Sequence, residues 1–319
     1  MSWLVEQGVG EERALRYENG RAAAARMRWP GGLEAGLVAD AVLVVRAKGS
    51  ARGRARFASG EEALVDRLPA SASEGAPLHL EVTRAAMRES KRLKLAQARP
   101  TGAPSRAAPT LVEALPEAAV VRRFPDGAWD EIWAEAWDAE VAFAGGALHF
   151  APTVAMTLVD VDGALPPSEL ALAAVGPLAG ALARFELGGS IGVDFPTLAA
   201  RDDRKAVDRA LDAALCGWEH ERTAMNGFGF VHIVARAAGP SLLHRLAFDR
   251  AGAAARRLIR QAEELEGAGA VLLTAHPAVL AACLPEWIAE LERRAGREAR
   301  FHPDPALALA GGHAQIVAR

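Results

Sequence analysis

The sequence predicts an α+β protein built from several subdomains. Between residues 36 and 99, short apolar runs alternate with turn signals about every ten residues, which is typical of a small β-barrel. Between residues 154 and 195, two strand-like runs enclose one helical stretch, and residues 247–319 again alternate helical and strand patterns. A barrel followed by two mixed units is a multi-subdomain α+β fold.

Composition and charge exclude several classes of protein. Of 319 residues, 51% are hydrophobic and 24% are charged, as in ordinary globular proteins, and the net charge is only −3. Cys216 and Cys283 stand alone without a C-x-x-C motif, so neither a disulfide scaffold nor a zinc site is predicted. The N-terminus has an acid where a signal peptide needs a base, and no apolar run reaches the roughly 18 residues of a membrane span. We therefore expect a cytoplasmic protein that has no membrane partner.

The first thirty residues predict a β-hairpin. Strands are expected at residues 3–7, 13–17 and 21–29, and Asn19-Gly20 between the last two is typical of a type I′ turn. Pro30-Gly31-Gly32 ends this unit.

The predicted barrel is locally basic. Its strands are expected at residues 37–45, 52–57, 62–66 and 78–83, and the stretch from Arg46 to Arg99 has twelve Lys or Arg against six acidic residues. A solvated charged face accounts for this excess in many proteins. Phe57, among these arginines, favours instead a nucleic-acid-binding surface on which basic side chains contact phosphates and the aromatic ring stacks on a nucleobase. The candidate contacts are Phe57, Arg54, Arg56, Lys91, Arg92 and Lys94.

A linker and a tryptophan-rich helix follow the barrel. Residues 100–117 contain four prolines and little periodicity, which is typical of a linker. Trp129, Trp133 and Trp137 then recur every four residues on one helical face. Such a stripe is more often core or interface than a platform for nucleobases, and we expect core or interface.

The central unit has two apolar runs that each end in an aspartate. We expect strands within residues 154–163 and 189–196, with Asp160 and Asp194 near their ends and a helix from Ser168 to Phe185 between them. A strand–helix–strand unit places its strands in parallel with their corresponding ends at one edge, so the two carboxylates are candidates to share a divalent cation. The alternative is that they are turn or cap residues. Gly188-Gly-Ser190-Ile-Gly192 matches G-x-S-x-G, but a helix precedes the serine and a strand follows it, which is the reverse of a nucleophile elbow.

Three helices and three strands complete the sequence-based assignment. Residues 203–215 are expected to form a helix, and residues 251–266 and 277–294 two more. Strands are expected at residues 270–274, 298–301 and 314–318, which gives the last seventy residues an α/β core of their own.

Several motifs of the central unit resemble the ribonuclease E/G family of bacterial endoribonucleases. These are Glu140 to Phe150, Ala155-Met-Thr-Leu-Val-Asp160-Val-Asp162, and Phe185-Glu-Leu-Gly-Gly-Ser-Ile-Gly-Val-Asp194-Phe195. Weaker similarities continue at Arg204-Lys205, Phe228-Gly229-Phe230 and Gly239-Pro240-Ser241-Leu242, and the first twenty residues resemble the family's N-terminus.

This resemblance implies a division into six segments. Residues 1–32 and 118–139 would form a split RNase H-like unit, and residues 33–99 an inserted OB-type RNA-binding barrel. Residues 100–117 would be a linker, residues 140–246 a deoxyribonuclease I-like catalytic subdomain, and residues 247–319 a small α/β domain.

The resemblance also implies a chemistry. Asp160 and Asp194 would hold Mg²⁺, or Mn²⁺ in its place. The enzyme would cleave single-stranded RNA in processing or decay and leave 5′-phosphate ends. Asp162 stands where the family usually has Asn, as an orienting residue or a third ligand. Phe57 matches a base-stacking aromatic, whereas a second such position has Leu64. The implied phosphate contacts are Arg204, Lys205 and Arg222.

Two features of the family have no counterpart in this sequence. No segment corresponds to its sensor of RNA 5′ ends, and the C-P-x-C motif of its zinc-link is absent, so a homo-oligomer would not form through a shared zinc. These departures leave a second hypothesis open, a catalytically degenerate paralogue that binds RNA without cutting it. Metal-dependent cleavage of DNA is a third.

Overall fold

The computed structural model describes residues 2–89 and 92–318, without the side chains of Glu89 and Asp126. It is a mixed α and β structure with a closed five-stranded barrel and several sheets. The predicted fold class is confirmed at this level.

The N-terminal sheet is an antiparallel meander of β1 (Trp3–Gly8), β2 (Glu11–Glu18) and β3 (Arg21–Arg28). Asn19 and Gly20 both have positive φ, 52° and 76°, as a type I′ turn requires. The predicted hairpin is confirmed.

A closed barrel follows, with the strand order β10-β6-β5-β4-β7. Its last strand was not predicted, and it closes the barrel by pairing parallel to β6 and antiparallel to β7. The barrel has a hydrophobic core of its own that includes Leu43, Val65 and Leu80. The elements of this region are β4 (Val38–Arg46), β5 (Gly53–Phe57), β6 (Glu62–Val65), β7 (Pro77–Arg84), the small hairpin β8 (Met87–Glu89) and β9 (Arg92–Lys94), and β10 (Ala96–Pro100).

The chain between the barrel and the central sheet is not an extended linker over its whole length, because parts of it form regular secondary structure. It contains α1 (Leu111–Ala114), whose Thr110 and Glu113 form a capping box, and β11 (Ala119–Val120), which joins the N-terminal sheet parallel to β1. A 3₁₀ turn (Pro125–Gly127) then leads into α2 (Ala128–Asp138).

The tryptophan stripe of α2 belongs to the core and to an interface, as predicted. Trp129 and Trp133 are buried, and the rings of Trp133 and Trp137 stack with 4.6 Å between centroids. Arginines of a later helix cover the stripe, with Arg257 4.2 Å above Trp133 and Arg250 3.9 Å above Trp137.

The central unit is a six-stranded sheet with the order β12-β13-β14-β15-β17-β16. Its elements are β12 (Glu140–Phe143), β13 (Gly146–Pro152), β14 (Thr157–Gly163), α3 (Pro167–Arg184), β15 (Gly189–Asp194), α4 (Arg201–Ala214), β16 (His220–Arg222) and β17 (Phe230–Ala235). As the strand–helix–strand pattern predicted, β14 and β15 are parallel neighbours joined by α3. Side chains of α3 and α4 share one core with the buried face of the sheet, while alternate residues on the other face are exposed.

The C-terminal unit contains a three-stranded sheet and four helices. They are α5 (Leu242–Phe248), α6 (Arg250–Glu263), β18 (Ala270–Ala275), α7 (Pro277–Ala282), α8 (Pro285–Ala295), β19 (Ala299–Pro303), a 3₁₀ turn (Leu309–Gly311) and β20 (His313–Val317). The prediction of one helix over residues 277–294 was wrong. Leu284 is extended, with ψ 144°, because Pro285 disfavours the helical conformation in the residue before it.

The cores show how these parts join. One large core combines the N-terminal sheet, α2, the central sheet and α3, whereas the barrel and the C-terminal unit each have their own. None of the helices in the described parts of the chain has the length and apolar character needed to cross a membrane.

Candidate functional site

Strand alternation places the three predicted aspartates on the open face of the central sheet. In β14, Thr157, Val159 and Val161 are buried under α3, while Asp160 and Asp162 are exposed. Successive side chains of a strand point to opposite faces, so the apolar residues that fix the packing also fix the direction of the carboxylates. β14 ends at Gly163, as the run from Val154 predicted, so Asp160 lies three residues before the end of its strand.

Asp160 and Asp194 lie directly opposite each other in the parallel register of β14 and β15. Adjacent strands are about 4.8 Å apart, so the two carboxylates leave the sheet side by side. Both residues are exposed, and within residues 2–89 and 92–318 no Lys, Arg or His lies within ion-pair distance of either. Like charges in directly opposed positions destabilise a sheet unless something positive lies between them.

Asp162 is two residues further along the same face. Its Oδ1 accepts a hydrogen bond of 2.8 Å from the backbone N–H of Gly163, which leaves its second carboxylate oxygen free of that turn. Two strand positions separate Cα atoms by roughly 6.6 Å, so Asp162 reaches the acidic pair only by leaning along the strand.

The residue set fits a magnesium ion better than a zinc ion. Among the residues that the structure describes, no three His, Cys, Asp or Glu side chains are grouped to hold a metal. A closed zinc site needs three or four such ligands. Magnesium often takes one or two carboxylates and completes its octahedron with water and substrate phosphate oxygens, which an exposed pair allows.

His149 extends the acidic row and was missed by sequence reasoning. It lies opposite Asp160 in the register of β13 and β14, and its side chain is about half exposed. Glu140 follows on β12, with 3.6 Å between its Oε2 and Nδ1 of His149. The available signal was the alternation of Leu148, His149 and Phe150, which marks a strand with an outward histidine.

The far side of the pair is aromatic. Phe230 lies opposite Asp194 in β17, and Phe228, in the turn before it, is 80% exposed. The ring of Phe230 packs over Gly192 so closely that a Cβ at that position would come within 2.5 Å of it. Phe228 was not among the predicted RNA contacts, although an exposed ring is what stacking on a nucleobase needs.

Ser190 of the rejected nucleophile motif also lies in this sheet. Its Oγ and Nε2 of His232 are 2.7 Å apart, so both side chains are satisfied by one hydrogen bond. The histidine's backbone N–H donates to Thr223 Oγ1. His232 is therefore hydrogen-bonded and half-buried.

The barrel residues predicted to contact RNA differ in exposure and in their partners. Phe57 is only 5% exposed and belongs to the barrel core, so its ring has no free face for a base. Arg54 and Arg56 project outwards from β5, and both pair with Glu62 at 2.9 and 2.8 Å. Arg92 and Lys94 lie on β9, and Lys91 lies outside the described residues.

The predicted phosphate contacts near α4 have structural partners. Arg204 donates to the backbone carbonyls of Leu198 and Ala199 and so braces the loop between β15 and α4. Lys205 is exposed, 3.9 Å from Asp202.

Arg222 is held by α4. It donates to Asp208 at 2.8 Å and to Asp212 at 2.6 Å. Partial burial acts to lower the pKa of Arg222, but these hydrogen bonds outweigh it and raise the pKa.

The structure thus brings together Asp160, Asp194 and Asp162 and adds His149, but leaves the barrel and α4 bases outside that group. No protein-family model matches this chain, and no curated protein matches it.

Proposed function

We propose that this protein is a metal-dependent endoribonuclease that hydrolyses single-stranded RNA and leaves 5′-phosphate ends. The observation that carries the proposal is the in-register pair of Asp160 and Asp194, exposed and without a cationic partner in the described chain. Two uncompensated carboxylates side by side favour a cation between them. Both lie in the motifs that resemble the ribonuclease E/G family.

Each side chain of the open face has a role in this proposal. Asp160 and Asp194 hold Mg²⁺, which when bound activates water and neutralises charge on a phosphodiester. Asp162 orients the pair or adds a ligand. His149, opposite Asp160 and about half exposed, gives or takes a proton at the cleaved phosphodiester. Phe228 stacks on a base next to the cleavage site.

The barrel supports RNA as the substrate. Its closed order, with the third and fifth strands parallel, is that of OB-type barrels, whose outer strands bind single-stranded nucleic acid. On the outside of β5, Arg54 and Arg56 lie beside exposed Leu64 and Val42. In this proposal bases pack on the two apolar side chains, and phosphates compete with Glu62 for the arginines.

The remaining subdomain assignments belong to the same proposal. The N-terminal sheet with β11 and α2 corresponds to the split RNase H-like unit, and the six-stranded sheet to the deoxyribonuclease I-like subdomain. An enzyme of RNA processing acts in the cytoplasm, where its transcripts are.

One observation favours a second function, RNA binding without cleavage. Among the described residues no third ligand is grouped with the acidic pair, and Asp162, at the position of the family's Asn, bonds to its own strand end. A protein that has lost its metal would keep the barrel and lose the chemistry.

Cleavage of a doubly labelled, AU-rich RNA oligonucleotide over a Mg²⁺ titration separates these functions. Cleavage is expected only with Mg²⁺ or Mn²⁺, and the products should carry 5′-phosphates that a ligase accepts. Losing a metal ligand removes several kcal/mol of transition-state stabilisation, so Asp194→Asn should lower the rate by roughly 10³-fold.

Asp203→Asn, on the exposed first turn of α4, is the matched control and should cleave at the normal rate. Equal rates for Asp194→Asn and the unchanged protein would reject the metal assignment. RNA binding with no metal-dependent product would support the second function, and preferential cleavage of a competing DNA strand would replace RNA as the substrate.

A further inference from the structure

A cavity of about 810 Å³ lies on the helix-covered side of the central sheet. Its walls come from the N-terminal sheet, from the C-terminal ends of α3 and α4, and from the loop after β17. Ala85 of the barrel also lines it. This volume is in the range of pockets that bind small molecules.

The lining of this cavity is strongly basic. It contains five arginines but only two acids, Glu18 and Glu186. Each acid is paired with one arginine, Glu18 with Arg16 at 3.1 Å and Glu186 with Arg26 at 3.2 Å. The other three arginines are Arg28, Arg236 and Arg245.

Two acids outside the cavity neutralise Arg28, but Arg236 and Arg245 have no such ion pair in the described chain. Arg28 pairs with Glu12 at 3.2 Å and with Glu34 at 2.6 Å. For Arg236 and Arg245, the described residues offer no carboxylate within 4 Å. Counted with Glu12 and Glu34, the five arginines of the cavity face four acids, so a surplus of about one positive charge remains.

Arg245 is the more informative of the two. Burial lowers the pKa of its guanidinium to about 10, so it is still charged at neutral pH. Its Nε has no hydrogen-bond partner in the described structure, and its nearest aromatic neighbour is Trp29, whose ring centroid is 5.1 Å away. The charges of Glu186, Glu11 and Glu34 offset only part of the cost of burying Arg245, and an anion in the cavity would offset more of it.

The remaining walls are apolar. Leu182, Leu187, Leu215 and Trp218 contribute to them, and the indole of Trp218 stacks on His220 with 5.0 Å between centroids. A basic rim beside an apolar wall matches a ligand that has both an anionic and a flat apolar part.

We propose that this cavity binds a phosphorylated nucleoside. The phosphate oxygens accept hydrogen bonds from Arg236 and Arg245, and the base packs against Trp218 and the leucines. The ligand is either a free nucleotide or the terminal nucleotide of an oligonucleotide. The site lies on the opposite side of the sheet from Asp160 and Asp194, so it does not depend on the proposed cleavage.

Isothermal titration calorimetry in metal-free buffer at physiological salt tests this proposal, with ADP, adenosine, pyrophosphate and 5′-phosphorylated diadenylate as probes. Saturable binding of ADP is expected, with weaker pyrophosphate binding and no adenosine binding. If diadenylate binds more tightly than ADP, the ligand is the end of an oligonucleotide. If ADP binds more tightly than diadenylate, the ligand is a free nucleotide. Without metal none of the probes is hydrolysed, so the result is separate from the nuclease assay.

Variants at the two free arginines locate the site. Arg236→Ala removes an exposed side chain and should weaken ADP binding about tenfold, as expected for one charge-assisted hydrogen bond. Arg245→Met keeps the volume and should abolish measurable binding while the protein stays at least as stable.

Arg201→Ala is the matched control. Arg201 is exposed at the first residue of α4, about 20 Å from the end that lines the cavity, and its loss should leave ADP affinity unchanged. An equal loss of affinity in Arg201→Ala, or no saturable binding of any phosphate probe, would overturn the proposal. If Arg245→Met does not fold, Arg236→Ala and its control decide.

Discussion

Two groups of acidic side chains in this molecule are treated in opposite ways. At the interface of the N-terminal sheet with α6, Glu6 is almost fully buried and accepts hydrogen bonds from Arg13 and from the backbone N–H of Phe124. Arg260 lies 3.3 Å from the same carboxylate. On the open face, Asp160 and Asp194 stand side by side, with no such partner in the described residues.

Glu11 and Glu263 follow the pattern of Glu6. Burial raises the pKa of Glu11, but a hydrogen bond from Trp29 at 2.9 Å and the charge of Arg13 oppose the rise. Glu263 pairs with Arg294 at 3.0 Å. The acids buried in the fold have arginine partners. Asp160 and Asp194 have no Lys or Arg partner in the described residues, which indicates a role in binding rather than in folding. The predictions below test this contrast.

The largest expected effect is on stability at the buried group. Glu6→Ala leaves Arg13 and Arg260 without their shared carboxylate in a buried site, which typically costs ~3–5 kcal/mol. Glu18→Ala, which breaks a surface pair with Arg16, should cost less than ~1 kcal/mol. Urea unfolding of both variants measures the difference in the free energy of unfolding. Similar small losses in both would mean that the buried network does not stabilise the fold.

The next effect is on catalysis at the open face, and it depends on the proposed nuclease activity. His149→Ala removes the proposed proton carrier and should lower kcat about 10²-fold, with little change in RNA affinity. Added imidazole should restore part of the rate. His302→Ala, at an exposed position of the C-terminal unit, is the control and should behave like the unchanged protein. A normal rate in His149→Ala would show that His149 carries no proton in the reaction.

A smaller effect is expected on stability at the acidic pair itself. Opposed like charges destabilise a sheet by ~0.2–1 kcal/mol, so Asp194→Asn should raise the free energy of unfolding by that amount in metal-free buffer. Mg²⁺ should then stabilise the unchanged protein but not the variant, because only the pair binds the ion. Thermal unfolding with and without Mg²⁺ measures both. If the variant is less stable without metal, these carboxylates serve the fold after all.

The sequence was sufficient to predict that Asp160 and Asp194 lie together, but not to predict which side chains lie beside them. Apolar runs around Pro167–Arg184 specified a strand–helix–strand unit, and its crossover fixed β14 and β15 in parallel, which brought Asp160 and Asp194 together. His149 lies in a hairpin whose strands were not predicted. The alternation of Leu148, His149 and Phe150 indicates a strand, but its pairing with β14 is a tertiary outcome that this pattern does not specify.

In the barrel, a signal in the sequence was overlooked. Arg54 and Arg56 alternate with Ala55 and Phe57, so arginines that point outwards force the phenyl ring inwards, where it is 5% exposed. Strand periodicity, rather than the resemblance at one position, was the better guide to the direction of Phe57.

The smallest effect concerns a paired acid at the surface of α8. Hydrogen bonds from Arg293 and Arg294 lower the pKa of Glu290 from its ordinary 4.5 to about 2. A depressed carboxylate pKa stabilises the folded state above pH 4.5, and this contribution disappears as the pH falls towards 2. Between pH 5 and pH 2 the unchanged protein should therefore lose slightly more thermal stability than Glu290→Gln. High salt should reduce the difference, because the pair is exposed. Parallel pH profiles for the two proteins would mean that this pair, unlike the arginines around Glu6, contributes nothing to folding.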